Sequence, residues 1–154
     1  MAVAATSRRV GHVFFIGNQL MEWRTAAAPA RSSVKAAGAL QELINTFRPD
    51  VVVTERLGSR DRKGDRAREI TAALQRIAAE NYVLDVSVER IQIFDNKYEE
   101  ADALAALYPA IKPWVPRKRR HFDSEPAAMV LFDALAAAHV VLQRPTTTLA
   151  AAMS

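Results

Sequence analysis

Five consecutive residues, VVVTE at 51–55, constrain the fold more than any other part of the chain. Three valines and a threonine in an unbroken run show no alternation with polar residues. The strand they predict is therefore covered on both faces. Such a strand belongs in the middle of a sheet flanked by helices. It also delivers a carboxylate, Glu55, at its end. A strongly basic segment, RLGSRDRKGDRAR at 56–68, follows at once.

The rest of the chain supplies the expected partners. HVFFI at 12–16 and QLMEW at 19–23 are strand-like and flank Gly17-Asn18, which reads as a β-hairpin. AAAPARS at 26–32 forms a loop. Ser32 or Ser33 is placed to cap a helix in which Val34, Ala37, Leu40, Leu43, Ile44 and Phe47 recur at helical spacing. Pro49 stops that helix, because it disfavours helical geometry at Arg48. A second helix is expected over 65–80, with Ile70, Leu74 and Ile77 on one face. A strand follows over 82–88, and residues 90–94 are ambiguous. Asn96 or Asp95 caps a helix to about Leu107, and a loop rich in proline and cations occupies 109–122. The last helix is expected to start at Ser124, Glu125 and Pro126 and to run to about Leu142. The expected product is a mixed sheet with helices on both faces, an α/β domain over 1–142 with a frayed tail over 143–154.

The 154 residues include no cysteine, which excludes disulfides and thiolate zinc sites and favours a reducing compartment. The three histidines, His12, His121 and His139, are scattered without zinc-like spacing. No Walker loop, dinucleotide fingerprint or nucleophile elbow is present. No apolar stretch nears the roughly 20 residues that span a bilayer, and the first residues lack a hydrophobic signal core. A soluble cytoplasmic protein with no membrane association is the simplest reading. The net charge of +4 is unevenly spread. Residues 56–68 and the run 117–120 together carry +8, which leaves −4 for everything else. Charge concentrated in this way suits a polyanion, although two solvated basic loops would look the same.

Two acids stand in unusual company. Glu55 ends a buried strand, where a plain solvated strand end is the alternative. Asp133 lies in FDALAAA, among residues so small and apolar that it either lies on the helix surface or points inward as a ligand. Asp123 and Glu125, upstream, read either as ligands or as acids favoured at a helix start. Hard carboxylate oxygens on rigid supports are what a pair of divalent ions requires for phosphoryl transfer. Trp23 and Trp114 could stack on bases. As packing residues, Trp23 would join the core and Trp114 a proline-rich turn.

At these residues the chain resembles the RuvC-like Holliday-junction resolvases, within the ribonuclease-H-like nucleases. The resemblance covers about residues 1–142. RPDVVVTER is similar to the strand that carries the family's second acid, which would make Glu55 that acid. FDALAAA is similar to the closing helix that carries a ligand, which would make Asp133 catalytic as well. PRKRRHFDSEPAAMVLFDA is similar to a small phage and bacterial branch, and Lys97 stands where that branch often has a helix-opening lysine. The resemblance implies a ribonuclease-H-like fold, Mg2+ or Mn2+ as cofactor, branched or duplex DNA as partner, and a homodimer. The departure comes at the start. The family's first strand ends in an aspartate, and here Ala4 takes its place. Val130, one turn before Asp133, stands where many relatives carry a further acid.

Three functions follow from this reading. In the first, a metal-dependent endonuclease cuts branched DNA. Glu55 and Asp133 hold the ions, with Asp123 or Glu125 assisting. Arg60, Arg62, Lys63, Arg66, Lys97, Arg117, Lys118, Arg119 and Arg120 hold phosphates. In the second, the lost acid leaves a catalytically inactive relative that still binds nucleic acid. In the third, only the fold remains, in an interaction protein.

Overall fold

The computed structural model describes residues 1–58, 63–90, 93–118 and 124–143. Five strands form one sheet: β1 (Ala2–Ala5), β2 (Val10–Ile16), β3 (Gln19–Ala26), β4 (Val51–Arg56) and β5 (Leu84–Glu89). Their order across the sheet is β3-β2-β1-β4-β5. β1, β2 and β3 pair antiparallel, whereas β4 is parallel to both β1 and β5. The helices are α1 (Ser33–Phe47), α2 (Asp65–Glu80), α3 (Lys97–Leu107) and α4 (Met129–Leu142).

The unbroken run at 51–55 is the centre of this design. β4 lies between two parallel neighbours and is covered from both sides. Val52 packs with Val3, Ala5, Leu40, Ile70 and Leu74 in a core beneath α1 and α2. Val53 packs with Ala2, Ala4, Leu131, Phe132 and Leu135 in a second core beneath α3 and α4. The period of two therefore assigns alternate residues of β1 and β4 to opposite cores. Glu55, two residues beyond Val53, falls on the α4 side. So does Ala4, two residues beyond Ala2, the residue of β1 in register with Val53.

Most local readings agree with the structure. Gly17 turns the hairpin with φ of +59°, where a side chain would be strained. The hairpin strands run longer than the apolar residues alone indicated, with a register shift between Phe14 and Phe15. Ser32 caps α1 by accepting from the Lys35 amide, and Asn96 caps α3 by accepting from the amides of Tyr98 and Glu99. The helix ends at Arg48 as expected before a proline, but the residue takes the left-handed region and not the extended one that a following proline favours.

Three boundaries differ. β1 spans Ala2–Ala5, a strand that the apolar runs did not mark and only the resemblance implied. Residues 28–31 and 109–114, read as loop, each form a 3-10 turn with a proline in its first positions. α4 begins at Met129 and not at Ser124. Pro126 offers no amide, and the Ser124 hydroxyl accepts from Arg8 Nη1 at 3.0 Å, so it caps no helix. The tail beyond residue 143 lies outside the described residues. Among the described residues no helix is long and apolar enough to cross a membrane.

Candidate functional site

The parallel strands β1, β4 and β5 end side by side, and open α/β sheets commonly bind ligands beyond such carboxyl ends. Glu55 points from β4 toward α4 and is 3% exposed, and Asp133 on α4 is fully buried. The two acids, 78 positions apart in the chain, meet in one buried cluster. Lys63 reaches back into it from the segment after β4. Its ammonium donates to Glu55 Oε2 at 2.8 Å and to the Ala5 carbonyl at 2.8 Å, and lies 3.9 Å from Asp133 Oδ2.

Two more cations enter from the other side. Arg90, the residue after β5, donates from Nη1 to Asp133 Oδ1. Its Nη2 pairs with Glu100, a buried acid on α3. Lys97, which opens α3, lies 3.5 Å from Asp133 Oδ1 and 3.2 Å from Glu125 Oε1. Four acids thus meet three basic side chains. Burial alone would push the Asp133 carboxyl upward, but Lys63, Lys97 and Arg90 together hold it below the ordinary carboxylate range. Glu55 goes the other way. Burial raises it, and the attraction of Lys63 is partly offset by the neighbouring Asp133 charge. Burial acts to lower Lys97, but the charges of Asp133 and Glu125 outweigh it and hold its ammonium above the usual lysine value.

This donor set does not fit a two-metal centre. Two ions roughly 3.5–4 Å apart need several carboxylates free to bind them. Among the described residues no three or more Asp, Glu or His side chains are grouped to hold a metal ion. Ala4 lies on the same face of the sheet as the two acids and brings only a methyl group. One oxygen of each acid is already hydrogen-bonded to a basic side chain. Glu55 Oε1 and Asp133 Oδ2 are buried without a hydrogen bond among the described residues.

The other expected residues are dispersed. Glu125 stands at the edge of the cluster and is joined to it by Lys97. Arg66 is spent on the 3-10 turn, with Nε donating to the Ala30 carbonyl and Nη2 to that of Arg31. Arg117 and Lys118 are exposed. Arg60, Arg62, Arg119, Arg120, His121 and Asp123 lie outside the described residues. Trp114 meets Trp23 edge to face at 5.1 Å, which joins the second 3-10 turn to the hairpin. Sequence reasoning missed Arg90 and Glu100. Glu100 shares a buried stripe with Ala101, Leu104 and Ala105, and that spacing could have marked it.

No protein-family description and no curated protein matches the chain. Solved structures do. Thermus thermophilus RuvC is 18% identical, with a TM-score of 0.55 over 88% of each chain. The same protein in complex with a Holliday junction substrate gives 0.58 at 18% identity, over 88% of this chain and 87% of that one. Fowlpox virus resolvase, in complex with Holliday junction DNA, gives 0.58 at 10% identity, over 92% and 97%. The chain therefore has a ribonuclease-H-like α/β fold of the RuvC-like resolvase form, with a five-stranded mixed sheet.

Proposed function

We propose that the chain is a resolvase-fold protein that binds branched DNA without cutting it by two-metal chemistry. The observation that carries this reading is the Lys63 ammonium, seated between the two acids at the ends of the parallel strands. A lysine there neutralises the charge that would otherwise draw divalent ions. Arg117 and Lys118 are exposed, and the charge concentrated in the 56–68 and 117–120 stretches of the sequence suits phosphates. The neighbours' complexes with junction DNA make a branched substrate the first to test. A junction presents symmetric strands, and a homodimer would match that symmetry.

The purified protein should retard a four-way junction in gels at low salt. It should leave the strands intact with Mg2+ or Mn2+. Brisk cutting that disappears in Glu55→Ala would overturn the reading. It would favour a second one, a metal-dependent endonuclease on branched DNA. The two buried carboxylate oxygens without hydrogen bonds among the described residues speak for that alternative. Absence of any binding at low salt would leave only the fold in common with the resolvases.

A further inference from the structure

We propose that Lys63 is a tethered counter-ion that occupies a cation position built from Glu55, Asp133 and the Ala5 carbonyl, and that its removal converts the cleft into a divalent-metal site. This deepens the reading of a non-cutting protein and rests on it. The geometry around the ammonium supports the assignment. Two oxygens from different strands lie 2.8 Å from Nζ, Glu55 Oε2 on β4 and the Ala5 carbonyl on β1. A third, Asp133 Oδ2 on α4, lies at 3.9 Å. The Lys63 side chain is only 12% exposed, so the charge is enclosed with its partners. All of these partners are hard oxygens, the donors that Mg2+ and Mn2+ prefer.

Two further oxygen atoms show what the position would offer a free ion. Glu55 Oε1 and Asp133 Oδ2 are buried and accept no hydrogen bond among the described residues. Buried carboxylate oxygens rarely go without a partner. With the lysine stem removed, both oxygens of Glu55, Oδ2 of Asp133 and the Ala5 carbonyl would converge on one vacated position. Arg90 and Lys97 would remain on the far oxygen of Asp133, Oδ1, and would hold that side chain in place. Lys63 thus acts as the gate that keeps divalent ions out.

The test uses the full chain in four forms: wild type, Lys63→Ala, Lys63→Met and Lys63→Arg. Thermal unfolding is followed in EDTA and in MnCl2, and bound Mn2+ is counted by electron paramagnetic resonance. The wild type and Lys63→Arg should unfold at the same temperature in both solutions and bind no Mn2+ that Glu55→Gln removes. Lys63→Ala and Lys63→Met should unfold earlier than wild type in EDTA. With Mn2+ well above its Kd, their midpoints should rise by at least about 4 °C. They should also hold about one Mn2+ per chain, lost when Glu55→Gln is added. If Lys63→Ala folds only with Mn2+ present, that outcome supports the proposal equally. Glu55-dependent Mn2+ binding by the wild type would overturn it. So would Lys63→Ala and Lys63→Met proteins that neither bind Mn2+ nor respond to it. Junction binding is measured on the same samples. Its absence in the wild type would defeat the DNA-binding function and leave the counter-ion role standing.

Discussion

Asp133 faces three basic groups at once, Lys63, Arg90 and Lys97. Removing the acid leaves those charges in a closed space with too little compensation. Asp133→Ala should therefore cost about 3–5 kcal/mol in urea denaturation, because breaking a buried ion cluster strands its partners. The pH dependence has two opposing parts. Asp133 titrates in the folded protein below its ordinary 3.8, so its contribution is complete above that value and disappears as pH falls through the folded pKa. Glu55 titrates above its ordinary 4.5, so the folded state gains stability as pH falls through the raised value toward 4.5. The unfolding midpoint should rise on mild acidification and fall steeply below pH 3.8. Glu55→Gln should abolish the rise, and Asp133→Asn should blunt the fall. Glu55 and Asp133 were legible in the sequence because apolar neighbours framed them. Lys63 was legible only as one cation among many, and Arg90 not at all. Their roles depend on partners tens of residues away, which local pattern does not reveal.

At the scale of elements, β2 and α4 meet through a glycine. A Cβ placed on Gly11 would lie 2.9 Å from Val130 Cγ1 and 3.1 Å from the Val130 backbone carbon and oxygen. The methyl could move, but the helix backbone could not do so without shifting off the sheet. Gly11→Ala should therefore destabilise by about 1–3 kcal/mol, measured by urea unfolding. Val130→Ala should not rescue it, since the backbone contacts persist. Trp114→Ala should release the second 3-10 turn from Trp23 and cost about 1 kcal/mol beyond the lost burial. α1 and α2 were legible because each keeps a wet face, and the resulting periodicity marks them. α4 is buried almost all round, from Met129 to Ala138 and again at Val141. Hydrophobic period therefore carried little information there, and its start was misplaced toward a serine engaged elsewhere.

At the scale of the molecule, the basic segments set the strength and salt response of polyanion binding. Each phosphate contact adds about 0.9 to the slope of log K against log salt on duplex DNA. Arg117→Ala with Lys118→Ala should lower that slope by up to about 1.8, with affinity reduced similarly for every sequence tested. Fluorescence anisotropy over a salt series measures both. Four of the five strands were visible in the order of apolar runs and caps, whereas β1 was implied only by the family resemblance. The cleft was only half visible, because its cations come from three separate stretches around Lys63, Arg90 and Lys97.

Burial of α4 between α3 and the sheet also bears on how the protein is made. This helix comes last among the described elements, yet it fills one whole side of the sheet. A nascent chain still lacking it would present Ala2, Ala4, Val53 and Val86 as bare apolar surface, with Glu55 and Lys63 beside them. α4 must leave the ribosome before that side can close, so this sheet stays half-covered until the helix emerges, and chaperones have most to shield up to that point.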